Sequence, residues 1–248
     1  MKSLIKEFIK KLFSLIGFRI TRTDEVIAGD EYKFAPSQED KFKWIQNMNI
    51  KTIIDVGAHI GESALQFHEL FPNAKIYSFE PLHDCYMQLN DAMKKVPDFR
   101  SFNLALGDKE GRLQIHRSEF SPSSSPLKMA KLHEETFPFS AGYTLETADV
   151  RTLDNIAQEL DLENNILLKI DVQGYEDRVI MGSRSILGRV KVIIIETSFN
   201  ELYKGQPLFS DIYELLHENG FIYAGSWGEL KSPLDGAPLQ QDSIFIRK

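Results

Sequence analysis

From Gln38 onward, short apolar runs suited to the middle of a sheet alternate with stretches of helical period, and this leaves the chain few ways to fold. KFKWIQNMNI reads as a helix, TIIDVG as a buried strand, ESALQFHELFP as a helix and KIYSFEP as the next strand. CYMQLNDAMKKV and FRSFNLALGD repeat the pair as helix and third strand. Further on, TLDNIAQEL and YEDRVIMGSRSIL read as helices on either side of the strand NILLKIDV, and VKVIIIET as a strand apolar without a break from Val192 to Ile195. FSDIYELLHENG is then a helix stopped by Gly220. The last two strands, GFIYAGSW and DSIFIRK, have a Pro/Gly-rich turn region between them and no crossover helix, so they should pair antiparallel. The expectation is an α/β fold, Rossmann-like, with a mostly parallel sheet, helices on both faces and an antiparallel C-terminal strand.

With 248 residues, 42% of them hydrophobic, the chain can bury the core of one such domain, placed at residues 38–248, and carry an appendage. Residues 1–37 form that appendage: a basic amphipathic helix and a linker. In SLIKEFIKKLFSLIGF, Leu4, Ile5, Phe8, Ile9, Leu12, Phe13, Leu15 and Ile16 recur at helical spacing with lysines largely opposite, until Gly17. Such a helix packs on its own domain or on a second subunit in a homo-oligomer, or lies on an anionic membrane surface through residues 1–18. After Asp108 the alternation breaks. GRLQIHRSEF reads as an extra strand, and the polar stretch that follows holds Pro122, Pro126 and Pro138, which forbid a long helix. The insertion, 109–150, is either a solvated surface excursion or a lid over a site at the strand ends.

The net charge of −7 supplies no basic field, so nucleic acid is not an expected partner. A single cysteine, Cys85, points to a reducing compartment. With no apolar run near the roughly 18 residues of a membrane span, the expected location is cytoplasmic, or peripheral on the inner face of the membrane.

Ligands of such a sheet sit beyond the carboxyl ends of the strands, which places Asp55 and the turn Gly57-Ala58-His59-Ile60-Gly61 at a site. The turn lacks the middle glycine of the nicotinamide fingerprint and the Gly-Lys-Ser/Thr of a P-loop. Glu80, followed by Pro81, closes the next strand where a carboxylate can accept hydrogen bonds from a ribose diol. A ribose belongs to nicotinamide cofactors and to S-adenosylmethionine alike. The antiparallel terminal hairpin fits the seven-stranded methyltransferase sheet better than six parallel strands.

DVGAHIGES, FEP, NLALGDKEG, TLDNIAQEL, LLKIDVQGYEDRVIMG and VIIIET, in this order, resemble the FkbM family of S-adenosylmethionine-dependent methyltransferases, which have the class I methyltransferase fold. Gln173 stands where that family usually has Glu, and His59 where Asn is common. The resemblance implies methyl transfer from S-adenosylmethionine to a hydroxyl of a sugar, glycolipid or related natural product. It implies that Asp55, Gly57, Ala58, His59 and Gly61 surround the methionine and ribose portion, that Glu80 and Pro81 meet the ribose, and that Leu106 and Asp108 flank the adenine. An NAD-dependent oxidoreductase and a non-catalytic membrane-surface or scaffold protein on the same fold are the other readings.

Transfer to oxygen needs a group that aligns the acceptor and removes its proton. Asp171 and Glu196 end adjacent strand runs and are the candidates, although Asp171 could instead cap the helix that follows. Lys169 and Glu176 would pair as scaffold. If Asp171 and Glu196 were close, a divalent cation could bridge them, but no metal motif is present and none is expected. His68, His83, His116, His133 and His217 are scattered. Phe120, Phe137, Phe139 and Tyr143, in the insertion, would suit stacking on a sugar ring or covering an apolar acceptor.

Overall fold

The computed structural model describes residues 42–248. The helix and linker expected over 1–37 lie outside them. In chain order the regular elements are α1 (Lys43–Gln46), β1 (Thr52–Val56), α2 (Glu62–Leu70), β2 (Lys75–Phe79), α3 (His83–Met93), β3 (Phe99–Phe102), β4 (Ala105–Leu106), β5 (Gly111–Ser118), α4 (Lys131–Thr136) and β6 (Tyr143–Arg151). They continue with α5 (Leu153–Ile156), β7 (Ile166–Ile170), α6 (Glu176–Met181), β8 (Val190–Ser198), α7 (Phe209–Glu218), β9 (Phe221–Lys231) and β10 (Pro238–Arg247).

The main sheet has seven strands in the order β3-β2-β1-β7-β8-β10-β9. Its strands are parallel from β3 through β8, and β10 lies antiparallel to both β8 and β9. This is the class I methyltransferase arrangement expected. Central strands β1 and β7 are buried at every position, because helices and loops cover both faces. Side chains alternate across the pleat, so Ile193 and Ile195 join one apolar cluster with Ile54, Leu168 and Phe245, while Val192 and Ile194 join the opposite one with Ile53, Leu167 and Ile244. An unbroken apolar run is what a strand with two buried faces requires. Among the described residues, no helix is long and apolar enough to cross a membrane.

Several elements differ from expectation. The third strand run divides: β3 ends at Phe102, the chain bends, and Ala105–Leu106 leaves for a second sheet of order β4-β6-β5. β6 was not legible as a strand, since only Ala148 and Val150 of its nine residues are buried and the apolar alternation is correspondingly faint. It pairs antiparallel with β5 along its whole length. The helix expected in TLDNIAQEL shortens to α5, capped by Thr152 Oγ1, followed by a 3-10 turn. α6 stops at Met181, and Gly182, its C-cap, lies against Gly107, where a Cβ would stand 2.0 Å from the Gly107 carbonyl oxygen.

Part of the insertion packs onto the domain. Met129 and Phe137 are buried with Leu202, Tyr203 and Leu239, and backbone hydrogen bonds join Ala130 N to Leu202 O and Lys204 N to Lys128 O, both at 2.8 Å. Cys85 is a buried free thiol packed with Leu82 and Ile115.

Gly182→Ala is expected to destabilise the chain by about 2 kcal/mol or more, since backbone must move to admit the methyl group. Thermal unfolding should show a midpoint lowered by roughly 4–8 °C.

Candidate active site

β1 runs straight into the glycine turn. Gly57 has φ +77° and Gly61 +96°, both in the left-handed region, and the non-glycine His59 sits there as well at +48°. The constraint at Gly57 comes from the neighbouring strand: a Cβ would lie 1.8 Å from the carbonyl oxygen of Asp171, at the end of β7. The turn therefore nests against the protein's own backbone. Gly57 N and Ala58 N donate to Phe79 O at 3.0 and 3.1 Å, which ties the turn to the end of β2.

Glu80 completes that join. Its Oε2 accepts from His59 N and its Oε1 from Leu82 N, both at 2.8 Å, so one carboxylate staples two turns together. Burial pushes the carboxyl up to about 7, against the pull of those two N–H donors. Asn103 braces the same corner by donating to the Glu80 and Pro81 carbonyls at 2.9 Å each.

Two cavities meet at Gly57 and Glu80. One is apolar, lined by Phe79, Pro81, Leu106, Ile115, Val172 and Tyr175. The other is polar, lined by Ala58, His59, Glu62, Ser121, Lys169 and Asp171. Together they offer an apolar slot, a buried carboxylate in the middle and charged groups at the far end. That sequence of environments fits S-adenosylmethionine, which carries a flat base, a ribose diol and a charged amino-acid tail. The insertion contributes Ile115 to the first cavity and Ser121 to the second, and Ser121 Oγ lies 2.8 Å from His59 Nε2. Burial lowers the His59 imidazole below its ordinary range, which favours the neutral ring.

Behind the polar cavity sits a charged cluster. Lys169 Nζ lies 3.3 Å from Asp171 Oδ2, 3.3 Å from Gly57 O and 3.7 Å from Asp55 Oδ1. Burial opposes the ammonium charge, but the carboxylates of Asp171, Asp55 and Asp242 outweigh it and raise its pKa. Asp55 is fully buried with no hydrogen bond to either oxygen, and burial pushes its carboxyl up despite Lys169. The expected Lys169–Glu176 pair does not form. Glu176 instead accepts from Val172 N and Gly174 N with one oxygen, at 3.1 and 3.0 Å. It, and not Asp171, holds the loop that leads into α6, and burial raises its carboxyl to about 7.

Asp171 and Glu196 are brought together, though no cation site arises among the described residues. The Nε2 of Gln173 donates to Asp171 Oδ1 and to Glu196 Oε2, each at 2.8 Å. Burial, then the charges of Asp171, Glu176 and Asp242, hold the Glu196 carboxyl well above the carboxylate range.

Of the expected site residues, Gly57, Ala58, His59, Glu80, Pro81, Leu106 and Asp171 line the two cavities. Asp55 lies behind them, bonded to the site through Lys169. Gly61 opens α2, and a Cβ there would press on Leu89 at 3.0 Å. Asp108 is elsewhere: it lines a separate open cavity with Asp154 and Arg189 and pairs with Arg178 at 3.2 Å. His133 is buried beside Ser140, and His116 packs edge-on to Tyr143. Sequence reasoning missed Tyr203, for which the stretch SFNELYKGQP carries no signal, and misassigned Lys169. The one charge inside the apolar run ILLKI should have pointed to carboxylates at neighbouring strand ends.

The titration of Glu176 has a definite sign. A carboxyl near 7 in the folded chain and near 4.5 unfolded stabilises the fold below pH 4.5, and that contribution is lost as pH rises to 7. Glu176→Gln keeps the accepting oxygen. Its thermal midpoint should therefore fall less than the wild type's between pH 5 and pH 7.5.

A model of the Methyltransferase FkbM domain matches residues 55–223. The 2-O-methyltransferase NoeI of Sinorhizobium fredii (strain NBRC 101917 / NGR234) is 32% identical over 174 residues, spanning 66% of this chain and 70% of that protein. Methyltransferase sdnD of Sordaria araneosa is 27% identical over 196 residues, spanning 68% and 73%.

Proposed function

The chain belongs to the FkbM methyltransferase family and uses S-adenosylmethionine, and from that premise we propose that it methylates a hydroxyl oxygen of a sugar, glycolipid or related natural product. The observation that carries this reading is the meeting of an apolar and a polar cavity at Gly57 and Glu80, with the carboxylate of Asp171 in the polar one. A relative named as a 2-O-methyltransferase supports oxygen as the atom modified. The family match does not favour the oxidoreductase or the non-catalytic scaffold.

When bound, S-adenosylmethionine supplies a methyl group on a sulfonium, already a strong electrophile. What remains for the chain is placement and proton removal. Glu80 receives the ribose hydroxyls, using the lone pairs left after His59 N and Leu82 N are satisfied. Leu106, Pro81, Ile115 and Tyr175, which line the apolar cavity, would enclose the adenine. Asp55 acts through Lys169, while Ala58, His59 and the Gly57–Gly61 turn surround the methionine portion. Asp108, engaged with Arg178, is left to the scaffold.

Asp171 takes the proton of the acceptor hydroxyl. Its side chain is 30% exposed and lines the cavity, whereas Glu196 is held behind it by Gln173. Phe120, next in sequence to Ser121 of the polar cavity, packs edge to face with Phe139 at 5.3 Å, and the two exposed rings offer apolar surface to a sugar ring.

Methyl transfer from labelled S-adenosylmethionine into saccharide and lipid-linked extracts tests the reading. Asp171→Asn should lower the rate by about 10²–10⁴-fold while S-adenosylhomocysteine still binds. Glu80→Ala should weaken S-adenosylhomocysteine in calorimetry by roughly ten- to a hundredfold. No labelled product from any extract would overturn the proposed acceptor class.

A further inference from the structure

Asp171 and Glu196 stand at the ends of adjacent parallel strands, and both meet a single nitrogen, Gln173 Nε2, at 2.8 Å. Two carboxylates held so near each other in a partly buried place need a donor, a cation or a shared proton between them. Gln173 supplies the donor, with one N–H for each. A flipped amide would instead turn its oxygen toward both carboxylates. Acceptor oxygens on both carboxylates would repel it, so they fix the amide themselves and leave Gln173 Oε1 2.7 Å from the Tyr203 hydroxyl. Tyr203 is fully buried and packs edge-on to His133 at 5.0 Å, and its hydroxyl, with one proton to donate, also lies 3.1 Å from the Ser123 carbonyl.

The backbone at Gln173 is held in an unusual conformation as well. Its φ of +56° is left-handed, as is that of Gly174 at +96°. Ser125 Oγ fixes the Gln173 carbonyl at 2.6 Å, and Glu176 fixes the N–H groups on either side. The loop after β7, the end of β8, the loop after β8 and the insertion thus converge on one amide.

We propose that Gln173 is a positioning residue for the acceptor side of the site: its amide, seated against the Tyr203 hydroxyl, clamps Asp171 to Glu196 and fixes the direction in which Asp171 meets the acceptor hydroxyl. This rests on the reading that Asp171 takes the acceptor proton. The clamp does between these carboxylates what an ion or shared proton would otherwise do. It also links Asp171 to the insertion through Tyr203 and Ser125, so a displaced insertion would loosen the reacting carboxylate.

The test uses the full chain, as wild type, Gln173→Met and Gln173→Glu, with thermal midpoints measured at pH 6 and pH 8, with and without Mn²⁺. Removing the donor leaves Glu196 facing Asp171, Glu176, Asp242 and Tyr203 with only Lys169 in opposition. Both variants should therefore lose more stability at pH 8 than at pH 6, by at least roughly 3 °C relative to wild type. Mn²⁺ should raise the midpoint of Gln173→Glu, where three carboxylates converge, and leave the wild type unchanged. Labelled methyl transfer by Gln173→Met should fall at least tenfold with S-adenosylhomocysteine affinity retained. Equal losses at both pH values, with no Mn²⁺ response, would mean that Gln173 only fills space and would overturn the proposal. A pH-dependent loss with undiminished transfer would overturn the positioning role. Failure of the underlying reading shows separately, as full transfer by Asp171→Asn.

Discussion

Lys169 carries an ammonium to the end of a strand whose other residues are buried and apolar, and the ends of three chain segments organise around it. Asp55 closes one side, Asp171 another, and the carbonyl of Gly57 a third. Desolvating a lone charge costs several kcal/mol, so each of these partners is needed where it stands. The consequence is geometric: β1 and β7 are drawn together until no side chain fits at Gly57, and the mouth of the site is set by that contact.

Around this centre the chain repeatedly uses one carboxylate to close a turn. Glu80 gathers the N–H groups of His59 and Leu82, and Glu176 those of Val172 and Gly174. Both are buried, and both are pushed up to about 7 because backbone donors only partly replace water. The left-handed residues His59 and Gln173 lie in the very turns these carboxylates hold, so each unfavourable backbone conformation is over-determined by its neighbours. One turn borders the two cavities, and the other carries the amide between Asp171 and Glu196. The site is thus rigid where a donor must be aligned with an acceptor, and the insertion is fastened to it through His59, Gln173 and Tyr203.

Much of the fold was legible because its central strands are buried on two faces. TIIDV, KIYSF, ILLKI and the run through Ile195 leave no other environment in which so many β-branched residues can sit. The hairpin of β9 and β10 was legible for a different reason, since a short turn cannot cross over a sheet. β6 was not, because only Ala148 and Val150 of its nine residues are buried and its apolar alternation is faint. Nor was the end of α6, where Gly182 meets Gly107, a contact between residues 75 positions apart.

The site divides in the same way. By itself the sequence determined which residues end the strands: Asp55, the glycine turn, Glu80, Asp171 and Glu196 follow from chain order and from the rule that such sheets bind ligands at their carboxyl ends. Only the tertiary structure decided how those groups are paired. It gave Lys169 to Asp55 and Asp171 and not to Glu176, sent Asp108 to Arg178, and placed the Gln173 amide between two carboxylates under a tyrosine 30 residues further on. The physical reason is that burial periodicity is written locally, whereas the partner of a buried polar group is whatever the packed sheet brings within about 3 Å of it.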